Sequence, residues 1–386
     1  MEKLKLNHWT ILILFIFCLS WILDGKCQPN RPEVETISRP VEKQGIMLAL
    51  LLDTSNSMDG LIDQAKSQLW KIVNELASSK CANGDRPSIK IALYEYGNDN
   101  LPSAEGYIRL VTPLTEDLDL ISEKLFSLST RGGNEFCGQV IKNALTQLNW
   151  SPSHADLKLI FIAGNEPFTQ GTVPYRGVCS WAKEKGVVVN TIFCGQHEEG
   201  ISTSWKSGAD LTGGNYMSIE QNKRTVYVPT PYDERIEVLN DQLNKTYIYF
   251  GSDGEKKKEM QEIQDANAGS YSRSNKVERA VTKSSSAYKN DSWDLVDASK
   301  EDDKIIEKAD SHYLPEEMMG MTLEQKKAYV KKKESERTQI KNEIQELEKK
   351  RRVFQANHMP TQADMLDKAI VQTVKEQAKR KNFKFD

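Results

Sequence analysis

The sequence lacks a dominant charge. Its 386 residues carry 52 Lys and Arg against 55 Asp and Glu, a net charge of −3. That balance excludes a generic nucleic-acid coat, whose signature is a strongly basic surface, and it excludes an acidic disordered chain. The motifs of common enzyme classes are also missing: there is no GxxxxGK[ST], GxSxG, HExxH or GxGxxG. Histidine is scarce, with five residues (His8, His154, His197, His312 and His358). His197 precedes Glu198-Glu199 at a strand end and reads as an exposed loop residue, with a ligand role as the alternative. Without a nucleophile paired to a base, no reaction can be named, and the chain is expected not to be an enzyme. None of the six cysteines is spaced as CxxC, which argues against a zinc site. No repeat of solenoid length is present.

Long apolar runs are limited to one, Trp9 to Leu23, behind Lys3 and Lys5. It fits the core of a signal peptide and is short for a bilayer span of roughly 20 residues. Gly25 and Cys27 suit cleavage after Cys27. An uncleaved anchor and a lipid-modified Cys27 are the alternatives, although Asp24-Gly25-Lys26 matches lipoprotein signals poorly. Residues 1–27 are thus a signal peptide or N-terminal anchor. The rest of the chain is expected to be exported: periplasmic, envelope-associated or secreted. Cys81, Cys137, Cys179 and Cys194 would remain, in an environment that permits disulfides, and the sequence does not choose a pairing.

What is present divides near residue 250. The last 136 residues hold 28 Lys and Arg and 26 Asp and Glu, against 24 and 29 in the first 250. Residues 44–220 alternate strands and helices. Ile46 to Leu52 and Leu157 to Ala163 are continuous apolar runs, as buried parallel strands require. Ile62, Ala65, Leu69, Ile72, Val73 and Leu76 recur at helical spacing. Further strands are expected at 89–96, 107–114, 187–193 and 216–219, with helices around 117–128, 138–148, 175–185 and 202–211. The pattern implies an α/β fold with a doubly wound, mostly parallel sheet covered on both faces. Residues 221–315 read as a polar extension and linker with at most one helix. Residues 316–386 read as a charged α-helical region. There Thr322 and Gln325 form a capping box. Ile340, Ile344, Leu347 and Phe354 make one apolar stripe, and a second helix over 362–379 turns Met365, Ala369, Ile370 and Val374 inward. A helical hairpin burying its own stripe is the plainer reading, and a partner-binding coiled coil the alternative.

The chemistry concentrates at Asp53-Thr-Ser-Asn-Ser57, directly after the first buried strand. In an open α/β sheet the carboxyl ends of the strands form the ligand crevice. Asp53, Ser55 and Ser57 alternate along the loop and offer one carboxylate and two hydroxyls. These are hard oxygen donors, suited to Mg²⁺ or Mn²⁺ and less well to Ca²⁺. The competing explanation is helix capping by the two serines, with Asp53 favourable near a helix N-terminus.

An apolar strand followed by Asp53-x-Ser55-x-Ser57 resembles the first motif of the von Willebrand factor type A (VWA) domain, whose metal-ion-dependent adhesion site (MIDAS) uses this loop. Ser207 to Tyr216 is similar to that family's last helix-to-strand junction. The resemblance covers about residues 44–220 and is nearest to exported bacterial members with a charged helical extension. It implies a six-stranded Rossmann-like sheet of order 3-2-1-4-5-6 with one antiparallel strand near an edge. It also implies a protein-interaction module that binds its partner through a divalent cation, the partner supplying a carboxylate. The second family motif is a threonine. Here Thr130 precedes Gly132-Gly133, and Glu135 after them could replace it, unless the segment is only a Gly-rich turn. The third motif is an aspartate after the fourth strand. Gly164 stands near its place, and Asn165 and Glu166 are the adjacent candidates, Glu166 being the one expected to face Asp53. The expected metal set is therefore Asp53, Ser55, Ser57, Thr130, Glu135 and Glu166. The partner is an unidentified protein and not a nucleic acid. Contact with a membrane is expected only through the N-terminal segment. A metal-free interaction domain and a metal-dependent hydrolase are the rival functions.

Overall fold

The computed structural model describes residues 44–219, 227–358 and 365–385. The signal or anchor segment 1–27 lies outside them. The first half runs β1 (Gly45–Asp53), α1 (Asp59–Ala77), a short β2 (Ser79–Lys80), β3 (Ser88–Tyr96), β4 (Ile108–Thr115), α2 (Leu118–Phe126) and α3 (Cys137–Gln147). It continues through β5 (Leu157–Gly164), α4 (Tyr175–Glu184), β6 (Val188–Cys194), α5 (His197–Ser202), α6 (Trp205–Thr212) and β7 (Tyr216–Ile219). The six-stranded sheet has the order β4-β3-β1-β5-β6-β7. Every neighbouring pair is parallel except β3 with β4, which is antiparallel at the edge. Setting aside the two-residue β2, this is the order 3-2-1-4-5-6.

The apolar runs lie where two-faced burial needs them. Successive side chains of a strand point to opposite faces. Leu48, Leu50 and Leu52 of β1 enter one core with Leu69, Val73 and Leu76 of α1, while Ala49 and Leu51 enter the other with Val140 and Ile141 of α3. The single helix expected over 202–211 is instead two, α5 and α6, broken at Ser204, whose φ is +77°. Gly213 in the left-handed conformation closes α6.

The second half is helical: α7 (Asp233–Asn244), α8 (Gly254–Tyr271), α9 (Arg273–Ser284), α10 (Leu295–Glu301), α11 (Ile305–Lys308), α12 (Leu323–His358) and α13 (Met365–Arg380), then β8 (Lys384–Phe385). Residues 251–315 were expected to form a linker with at most one helix, and they hold four. The described residues from 44 onward belong to one compact unit. Ile236 and Leu243 of α7, Val277 and Val281 of α9, Ile344 of α12, and Val374 and Phe383 all join the core on the α1 face of the sheet. Some of the charges that suggested a solvated tail are paired inside. Arg279, 1% exposed at its side chain, lies 2.9 Å from Asp119 and 2.5 Å from Asp265. Lys283 is 2.7 Å from Asp265. Arg337 binds Asp294 and Asp297, and Arg351 binds Glu278 and Glu348.

The capping box forms as expected: the Thr322 amide donates to Gln325 Oε1 and the Gln325 amide to Thr322 Oγ1. The helical hairpin does not. α12 rests on α7, α9 and α10, and α13 rests on α1 and β7. The side chains of Met365, Ala369 and Ile370 lie outside the description; Val374 is buried. β8 pairs antiparallel with β2, Phe385 opposite Ser79. The tail therefore wraps the helix that begins at the Asp53 loop, rather than standing off as a spacer. Among the described residues no helix is long and apolar enough to cross a membrane. Cys81, Cys137, Cys179 and Cys194 are buried, and among the described residues Cys137, Cys179 and Cys194 join no disulfide.

Candidate metal centre at the end of β1

Asp53 is the last residue of β1, the strand from which the connections diverge to either side, so it sits at the switch point where the crevice opens. Tyr96 of β3 lies opposite it, and on the other side the register places Gly164 one residue past the Leu52–Ala163 pair. Asp53 is fully buried. Its Oδ1 accepts from the Ser55 amide at 2.7 Å. The Ser55 and Ser57 hydroxyls lie 3.2 Å apart. Neither serine caps a helix: the short turn after Ser55 and α1 after Met58 both lack a side-chain cap. The capping explanation of Asp53 to Ser57 therefore finds no hydrogen bond to support it, and the hydroxyls are turned to one another.

Glu135 comes from the loop before α3 and is 3% exposed. Its carboxyl group lies beside that of Asp53, both packed against Gly97. Gly97 makes this possible. Its φ is +81°, and a Cβ there would lie 2.7 Å from Asp53 Oδ1 and 2.8 Å from Glu135 Cγ. Burial pushes the Asp53 carboxyl well above the usual carboxylate range, and the neighbouring Glu135 pushes it further. Beneath the pair, the Tyr96 hydroxyl donates to the Ala163 carbonyl at 2.9 Å. Burial pushes that phenol up, with smaller contributions from Cys137, Asp53 and Glu135.

The other expected ligands are arranged differently. The Thr130 hydroxyl donates to Asp59, at the start of α1, and it is not gathered with Asp53. Glu166 touches the site through its main chain. Its amide donates to Glu135 Oε2 at 3.3 Å and its carbonyl accepts from Trp205 at 2.9 Å. Asn165, the neighbouring residue, donates from Nδ2 to Ser57 Oγ at 3.1 Å. His197 opens α5, far along the sheet, beside Ser218 and Tyr216. Sequence reasoning gave Tyr96 and Gly97 no role. Their signal was position: both follow the carboxyl end of a strand adjacent to β1.

Asp53, Ser55, Ser57 and Glu135 thus converge. Two carboxylates and two hydroxyls form a set of oxygen donors alone, suited to a hard divalent cation. Among the described residues no three His, Cys, Asp or Glu side chains gather at one point, so hydroxyl, amide or water oxygens must complete any coordination. The structure bears on the fit through one atom. Asp53 Oδ2 is buried and has no hydrogen-bond partner. A buried acceptor without a donor is costly, and a cation at this point would satisfy it while neutralising the paired carboxylates.

Residues 48–202 match the family model of the von Willebrand factor type A domain. This chain carries a VWA domain. A comparison with curated proteins finds no match. Among solved structures, the chain is similar to the conserved hypothetical protein BatB from Bacteroides thetaiotaomicron, at 19% identity over 45% of this chain and 90% of that one, with a TM-score of 0.34. It is similar to an aerotolerance-related membrane protein from Bacteroides fragilis, at 17% identity over 46% of this chain and 94% of that one, TM-score 0.30. It is also similar to proximal thread matrix protein 1 from the mussel byssus, described with a zinc-occupied MIDAS motif, at 13% identity over 47% of this chain and 43% of that one, TM-score 0.34. The matched residues run from β1 to α5; α6, β7 and the helical tail lie beyond them.

Proposed function

We propose that the protein is an exported interaction module whose VWA domain captures a protein partner through a divalent cation, Mg²⁺ or Mn²⁺, held by Asp53, Ser55, Ser57 and Glu135. VWA domains are generally interaction modules, and the family match supports that class of function. The observation that carries the cation is the buried Asp53–Glu135 pair with Asp53 Oδ2 left without a donor. Two carboxylates in contact and closed to water cannot both stay ionised without a counter-charge, and a bound divalent cation supplies it. Ser57 is exposed at the rim, so the crevice is open on the side where a partner would bring its own carboxylate. That carboxylate would complete the coordination and make binding depend on the ion. Export rests on the apolar segment from Trp9 to Leu23 behind Lys3 and Lys5.

The test is capture from envelope extract with the wild-type chain and with Asp53→Ala, in Mg²⁺ and in EDTA. Cation-bridged binding requires that one partner be lost both in the mutant and on chelation. A partner retained in both arms would mean that the interaction uses another surface and no metal.

A further inference from the structure

The loop after β5 holds a second buried acceptor without a donor. Asn165 Oδ1, like Asp53 Oδ2, is closed to solvent and has no hydrogen-bond partner. The two residues lie at the ends of adjacent strands, Asp53 one residue and Asn165 two residues past the last β1–β5 pair, Leu52 with Ala163. The remaining atom of the Asn165 amide, Nδ2, is bound to Ser57 Oγ at 3.1 Å. Asn165 is therefore oriented by a hydroxyl of the same crevice. Two buried oxygens lacking donors at one place call for a group that both can coordinate.

The reason that β5 offers an amide here, and no carboxylate one residue earlier, is steric. A Cβ on Gly164 would fall 2.5 Å from the Tyr96 hydroxyl, 3.2 Å from Asp53 Oδ2 and 3.2 Å from the Trp205 ring. Tyr96 is fully buried and tied to the Ala163 carbonyl, so it cannot swing aside. Any side chain at 164 is excluded. The second negative charge of the site comes instead from Glu135, which reaches Asp53 from the loop before α3 and accepts from the Glu166 amide.

The geometry points to Asn165 as a further cation ligand, a neutral oxygen on the β5 side that faces the Asp53–Glu135 carboxylates across the crevice. This deepens the cation reading given above and rests on it.

The test is calorimetric titration of the wild-type chain with Mn²⁺ alone, beside Asp53→Ala, Asn165→Ala, Ser57→Ala and the Ser57→Ala/Asn165→Ala double variant, each checked for folding by its melting curve in EDTA. The expected result is Mn²⁺ binding that Asp53→Ala abolishes and Asn165→Ala weakens about tenfold or more. The Asn165 effect should persist in the Ser57→Ala background, because a ligand acts without the serine. If wild type binds and Asn165→Ala leaves the affinity unchanged, or if its effect vanishes once Ser57 is removed, Asn165 is not a ligand and the cation site stands without it. If wild type itself takes up no Mn²⁺, the cation reading fails together with this inference.

Discussion

The carboxyl groups of Asp53 and Glu135, 82 positions apart in the sequence, lie side by side against Gly97, and both residues are buried. This contact spans the two loops on which a cation reading depends, and its cost in the absence of an ion makes the reading testable.

Glu135→Gln removes one of the two negative charges and keeps the shape. The metal-free protein should be at least as stable as wild type, since the like-charge contact is gone. Its stabilisation by Mg²⁺ should shrink, because fewer anionic oxygens remain to bind the ion. Melting temperatures in EDTA and in millimolar-range Mg²⁺ check both. A larger Mg²⁺ effect in the variant would count against Glu135 as a ligand.

Gly164→Ala should destabilise the protein by about 1–3 kcal/mol through overpacking, the new Cβ striking the Tyr96 hydroxyl. In a Tyr96→Phe background the penalty should fall, since the nearest atom is absent. Urea unfolding of the four proteins in this cycle measures the coupling. Simple additivity would mean that Tyr96 does not set the space at 164.

Asp265 anchors the helical half. Burial alone would raise its carboxyl, but Lys283 and Arg279 beside it hold it well below the usual carboxylate range. As pH falls past about 4, the unfolded chain takes up a proton that the folded chain refuses. The folded state therefore loses stability toward acid and regains it above that point. Asp265→Asn should cost on the order of 3 kcal/mol at pH 7 by leaving Arg279 and Lys283 short of counter-charge. It should also flatten the pH dependence of unfolding between about pH 5 and 3. An unchanged acid limb in the variant would show that the linkage lies elsewhere.

Gln377 of α13 and Asn190 of β6 exchange two buried amide hydrogen bonds, at 2.6 and 3.0 Å. Gln377→Ala should destabilise by about 1–3 kcal/mol, because it strands Asn190 Nδ2, while Asn190 Oδ1 keeps the Asn215 amide at 2.9 Å. The loss should appear in unfolding of the whole chain as one transition. A separate early transition of the tail alone would contradict the shared core.

The sheet was legible because its central strands are apolar without interruption, and only a strand buried on both faces reads so. The antiparallel edge strand followed from the resemblance and not from periodicity. Within the site, Asp53, Ser55 and Ser57 were legible from alternation along one loop. Glu135 was legible as an acid near the second loop, though no spacing could place it on Asp53. Glu166 was legible as an acid in the loop after β5, and the structure ties its main chain to Glu135 and Trp205. The tail misled. The buried positions of α12 are Val330, Arg337, Ile344, Glu348 and Arg351, so three of the five read as solvent-facing. Composition counts charges, and it cannot tell a solvated charge from one paired inside.

The most direct measurement is the melting temperature of the chain, stripped with EDTA and then given Mn²⁺ or Mg²⁺, beside Asp53→Ala. A cation held at this site stabilises the folded state by about 2.7 kcal/mol when supplied at 100 times its dissociation constant. The account predicts a rise of several degrees in wild type and none in Asp53→Ala. A wild-type melting temperature unmoved by either ion, or an equal rise in the mutant, would contradict it.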